Sequence, residues 1–208
     1  KALKQRNRLI KDKINDSNWY DSVEKQMAVF GVKIDEARLN VVDQITEKQK
    51  NSSSGFPSAN LYLMGSRYSS HEEFQAALFE SRKKDMFSGR TLLGPHLSDL
   101  GAIFLSKGME AKNCSTGEQK ALLISIIIAT VKIQIDFFQT PPILLFDEVS
   151  AHLDAERRTI LYEELNKLNL QVFLTGTDSL IFQELIGRVK YYEVILNSGE
   201  SKCRLEET

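Results

Sequence analysis

Pro141-Pro142-Ile143-Leu144-Leu145-Phe146-Asp147-Glu148 places four large apolar residues directly before two adjacent carboxylates. The apolar run reads as a fully buried parallel strand, and the acids emerge at its C-terminal end. In open parallel sheets that end is where ligands bind. An acid there can hold a magnesium ion through water, and the next can orient or deprotonate an attacking water. A strand that merely runs into an acidic loop is the alternative for this stretch alone.

About thirty residues earlier stands Ser115-Thr116-Gly117-Glu118-Gln119, opening an apolar helix that runs to about Phe138. Ser115 and Glu118 have capping-box spacing, so the serine can cap the helix while the glutamate reaches back. The glycine lets a ligand approach the backbone, and exposed amides at a helix start favour an anion such as phosphate. A well-capped helix without a ligand explains the same residues. Downstream, Val149-Ser150-Ala151-His152-Leu153-Asp154 precedes a helix over 155–168, then a strand over 171–174 and Thr175-Gly176-Thr177-Asp178. Strand, helix, strand at this spacing is a βαβ unit. It brings Thr177 and Asp178 to the same sheet edge as Asp147 and Glu148.

Toward the N-terminus the texture is helical. Leu3, Asn7 and Ile10 share a face of a short basic helix, and Asp16 and Ser17 offer caps for a second helix. Its apolar positions Trp19, Val23, Met27, Phe30, Ile34, Ala37, Val41 and Ile45 step by three and four, one continuous stripe read as core. After the polar break Asn51-Ser52-Ser53-Ser54-Gly55, a short strand is expected over 61–64. A helix follows over 71–86, with Phe74, Leu78 and Phe79 inward. From Thr91 onward short apolar strands alternate with helices, so a boundary is placed near 88. The expected fold is α/β, with a helical lobe over 1–88 and a parallel sheet with flanking helices over 89–208.

Bulk properties narrow the function. At 42% hydrophobic residues, 208 residues can bury a sizeable core. The net charge of −1 excludes a globally basic nucleic-acid coat, so any DNA contact must be local. Lys4, Arg6, Arg8 and Lys11 on the first helix, and Arg82, Lys83, Lys84 and Arg90, are candidate phosphate contacts, with solvated helix faces as the ordinary alternative. Cys114 and Cys203 are the only cysteines and have no metal-ligand neighbours, a usage that suits a reducing cytoplasm. The apolar stretch 121–131 is too short for a bilayer, so no membrane is expected.

The ordered set of signature-like loop, acidic strand end, following loop and second strand end resembles the C-terminal half of ABC-type ATPases. Within that superfamily the chain is most similar to RecF-like DNA-repair ATPases. The similarity rests on Ala2-Leu3-Lys4-Gln5-Arg6-Asn7, Ile34-Asp35-Glu36-Ala37-Arg38, Thr91-Leu92-Leu93-Gly94-Pro95-His96 with Asp99-Leu100, and the motifs above. It implies ATP and Mg2+ as cofactors and ATP-driven homodimerisation. It also implies work on single-strand/double-strand DNA junctions, and recombination mediator proteins as partners. Carried over, Asp147 binds magnesium and Glu148 acts on the hydrolytic water. Ser115 and Gly117, with Glu118 and Gln119 in the same loop, meet ATP held by the opposite subunit. Asp154 belongs to the loop crossing the dimer interface, and Thr177 stands where transporter-type relatives carry histidine. Ala151 replaces the usual serine of that crossing loop.

No G-x-x-x-x-G-K-[ST] occurs in these residues. In the family it lies on a lobe that would precede Lys1, and the chain opens on Lys rather than Met. The expectation is a fragment that alone neither binds ATP tightly nor hydrolyses it. The rival readings are a transporter nucleotide-binding subunit and a non-enzymatic helical interaction module.

Overall fold

A computed structural model describes residues 1–52, 55–197 and 199–206. The chain divides into two compact units, Lys1–Asn51 with Ser58–Asn113 and Ser52–Pro57 with Cys114–Thr208. Helices and strands mix in both, the α/β class expected.

In the first unit α1 (Ala2–Lys11) and α2 (Ser17–Lys50) lead to β1 (Ala59–Met64) and α3 (His71–Ser88), then β2 (Asp99–Phe104) and β3 (Met109–Glu110). Asp16 caps α2 as its position suggests, accepting from the Trp19 amide at 3.2 Å. Leu9 and Ile10 of α1, Tyr20, Val23, Met27 and Ala28 of α2, and Phe74 and Leu78 of α3 form one core. The expected α2 stripe is only half right. Val23, Met27 and Ile45 are buried, but Trp19, Phe30, Ile34 and Val41 are exposed. The buried face is rotated toward Tyr20, Glu24, Ala28, Gly31, Asp35, Val42, Thr46 and Gln49. Part of the reason is polar. Thr46 and Gln49 side chains accept from the β1 amides of Leu61 and Ala59, groups that would otherwise lie buried without partners. Phe79, expected inward, is exposed beneath the Arg82 guanidinium.

The unit boundary falls after Asn113 rather than near 88. β2 pairs antiparallel with β1 from Ala59↔Phe104 to Met64↔Asp99, and β3 adds to β2. The sheet therefore spans α3 and ties 89–113 to the first unit. Gly89, at φ 70°, ends α3 in the left-handed region without marking a domain edge.

The second unit contains α4 (Thr116–Phe138), β4 (Leu144–Phe146), α5 (Ala155–Lys167), β5 (Val172–Leu174) and the antiparallel hairpin β6 (Tyr191–Asn197) with β7 (Glu200–Glu206). β4 and β5 pair in parallel, Leu144↔Val172 through Phe146↔Leu174, with α5 between them in sequence. Ala121, Ile124, Ile128 and Val131 of α4 pack with Leu144, Phe146, Leu161, Tyr162 and Leu165. By length and composition α4 could cross a bilayer, but these residues carry the core instead. The reading of β4 as buried on both sides is corrected: Leu144 and Phe146 are enclosed, whereas Leu145 is 71% exposed, and Ile143 and Phe173 are exposed beside it. Helices cover only one face of this sheet.

Candidate active site

The parallel register of β4 and β5 sets Asp147 and Thr175, each the first residue after its strand, next to one another. The Thr175 amide donates to the Phe146 carbonyl at 3.0 Å, continuing the ladder by one bond. Its hydroxyl donates to Asp147 Oδ1 at 2.5 Å and accepts from the Glu148 amide at 3.0 Å. Both carboxylates are exposed at the strand tips. Glu148 holds a left-handed backbone, φ 48° and ψ 27°, an uncommon conformation for a residue with a Cβ. Asp147 Oδ1 takes the Thr175 bond, and the carboxylate as a whole is exposed to solvent, open to a water-bound cation. A single carboxylate of this kind fits magnesium, which keeps much of its hydration and is otherwise held by substrate phosphates. No group of three or more potential metal ligands occurs among the described residues.

After Glu148 the chain makes a short 3-10 helix, Val149–His152. Ser150 is buried, its Oγ 3.0 Å from the Tyr162 hydroxyl, which donates to the Ile181 carbonyl at 2.8 Å. Burial pushes the Tyr162 phenol above its ordinary pKa. The side chains of Ala151 and His152 lie outside those described. Asp154 accepts from the Arg157 amide at 2.8 Å, so it caps α5, and its other oxygen is 3.4 Å from the Arg157 guanidinium. Thr177 is exposed, and its neighbour Asp178 caps the 3-10 helix Ser179–Leu185.

At the start of α4, Ser115 is exposed, and both halves of the capping box form. Ser115 Oγ accepts from the Glu118 amide at 3.4 Å. Glu118 Oε2 takes the Ser115 amide at 3.0 Å and its hydroxyl at 2.9 Å. Gln119 donates to the Cys114 carbonyl at 3.0 Å, bracing the turn. A Cβ at Gly117 would meet only the Arg157 guanidinium, at 3.3 Å. Arg157 therefore lies against both Gly117 and Asp154. The structure gathers Asp147 and Glu148 around Thr175, which sequence reasoning passed over in favour of Thr177. The available signal was positional, since Thr175 follows β5 as Asp147 follows β4.

The first-helix basic cluster does not survive intact. Lys4, Arg8 and Lys11 are exposed, but Arg6 is 0% exposed and is withdrawn as a DNA contact. Its Nε pairs with Glu24 at 3.0 Å and its Nη1 with Asp85 at 2.5 Å, while Nη2 donates to the Leu78 carbonyl at 2.9 Å. Arg82 is similarly drawn in, bound to Glu24 and Asp21. His96 sits in the turn Pro95–Leu97, its Nε2 3.3 Å from the Thr91 carbonyl.

No protein-family model matches the chain. The DNA replication and repair protein RecF of Mesorhizobium japonicum is 40% identical over 205 residues, covering 93% of this chain and 54% of its own length. RecF of Rhizobium etli is 39% identical over 204 residues, with the same coverage. Among solved structures, the recombination mediator protein RecF-ATPrS in the RecFOR pathway superposes with a TM-score of 0.73 at 18% identity. It covers 97% of this chain and 56% of that one. The RecF-ATP structure gives 0.66 at 21% identity, covering 86% and 51%. Along nearly its whole length this chain is similar to RecF proteins in sequence and in fold, and it spans about half the length of the curated relatives it matches.

Proposed function

We propose that this chain is the signature and acidic-strand half of a RecF-type ATPase of DNA repair and replication. One observation carries the reading: Asp147 and Glu148 stand exposed at the tips of a parallel strand pair, held by Thr175. The 40% identity to RecF favours it over a transporter subunit. Magnesium, held through water by Asp147, would neutralise charge on the ATP phosphates. Glu148 orients and deprotonates the hydrolytic water. The Ser115 loop, exposed at the start of α4, offers hydroxyl and backbone donors to ATP bound by a second copy, and Gly117 keeps that approach open. Asp154, with Arg157 between it and Gly117, lies on the surface where two copies meet. Catalysis then reports dimerisation, because each pocket needs two chains. DNA junctions, recombination mediator proteins and a cytoplasmic location complete the proposal, with Lys4, Arg8 and Lys11 as the remaining DNA contacts on α1.

The test is Glu148→Gln in the full-length protein. Loss of a general base lowers hydrolysis about 100-fold or more, and an ATP-bound dimer accumulates in size-exclusion chromatography. Wild-type hydrolysis by that variant would leave the non-enzymatic module as the better reading. The chain over 1–208 alone is expected to show no tight ATP binding by calorimetry.

A further inference from the structure

We propose that Thr175 is the positioning residue of the acidic pair, coupling the carboxylate of Asp147 to the backbone of Glu148 through one hydroxyl. The proposal rests on the ATPase reading and adds a residue to it. A hydroxyl has one proton to give and lone pairs to receive. Here the proton goes to Asp147 Oδ1 at 2.5 Å and a lone pair takes the Glu148 amide at 3.0 Å. The first bond restrains the rotation of the exposed Asp147 carboxylate. The second holds Glu148 where its backbone is left-handed, φ 48°, a conformation an L residue leaves readily unless its neighbours hold it. Relaxation at Glu148 would swing its side chain away from the strand tip. Threonine suits the task because its branched Cβ restricts the rotamer, so the hydroxyl is presented without much searching. The ladder bond from the Thr175 amide to the Phe146 carbonyl, at 3.0 Å, uses only backbone. Removing the hydroxyl therefore leaves strand pairing in place.

The experiment uses the full-length protein with T175V, T175S and, as the control for the parent reading, E148Q. Valine keeps the shape and loses both bonds; serine keeps both. T175V is expected to lower kcat for ATP about 10- to 100-fold, as partners behind a metal ligand commonly do. KM for ATP should hold within about twofold and half-maximal activity should need more Mg2+. T175S should restore kcat to within about threefold. Thermal unfolding of T175V should match wild type. If E148Q abolishes hydrolysis while T175V keeps wild-type kcat and Mg2+ dependence, the positioning role is wrong and the ATPase reading stands. Equal impairment of T175S and T175V, with lowered unfolding temperatures, also overturns it, assigning Thr175 to strand packing. Hydrolysis at the wild-type rate by E148Q removes the parent reading and this proposal with it.

Discussion

Lys1, Lys4, Arg6, Arg8, Lys11 and Lys13 look alike as a basic run, and burial alone separates Arg6 from the rest. Its partner Asp85 is 79 positions away, so no local pattern could have announced the pair. Removing the guanidinium leaves buried Asp85 without a cation and Glu24 with Arg82 alone. Arg6→Ala should cost about 3–5 kcal/mol, whereas exposed Arg8→Ala should stay within about 0.5 kcal/mol. Urea unfolding followed by the fluorescence of Trp19, the only tryptophan, distinguishes them; a loss under about 1 kcal/mol for Arg6→Ala would contradict the network. Charge reversal at Lys4, Arg8 and Lys11 tests DNA contact without this confusion, and unchanged low-salt affinity would eliminate that surface. Ser115 was legible as the cap of α4, because a capping box is a four-residue pattern. Ser115→Ala should weaken the α4 start by about 1 kcal/mol in denaturant titration. Thr175 was not legible as a partner of Asp147, since their contact depends on which residues of two strands face each other.

Elements were read well where one periodicity governs them. The starts of α2 and α4 fall where their caps predict, and β4, α5 and β5 follow in the expected order. The buried face of α2 was misjudged because apolar spacing cannot see Glu24 claimed by Arg6, or Thr46 and Gln49 claimed by β1. A domain edge near 88 failed similarly, since β1 and β2 are separated by a whole helix before they pair. α4 and α5 are joined by another buried charge. Glu164 accepts from Lys132 at 3.0 Å and Lys167 at 2.9 Å. Burial alone would raise its pKa, but the hydrogen bonds from Lys167 and Lys132 outweigh it and hold the carboxyl below its ordinary range. A native pKa below the unfolded one means the charged form stabilises the fold above the ordinary range. That stability is lost as pH falls through the native value. Stability measured by denaturant across pH 7 to 3 should therefore show an acid-side decline that is shallower in Glu164→Gln; identical profiles would remove Glu164 as a contributor.

At the scale of the whole molecule, the relatives are about twice as long as this chain, and the parallel sheet of the second unit is covered on one side only. The apolar run of β4 was read as enclosed on both sides because composition reports how greasy a strand is, not how many neighbours it has. Ile143, Leu145 and Phe173 lie together on the uncovered side. The chain should bind a hydrophobic dye such as anilinonaphthalene sulfonate while fully folded, and Leu145→Thr should reduce that signal without lowering the unfolding midpoint. In colloidal terms, this is a particle with a patch of oil and a net charge of only −1. Such particles have little mutual repulsion to keep the patches apart. The apparent molar mass from static light scattering should accordingly rise with protein concentration, and should do so more steeply as added salt removes what repulsion there is.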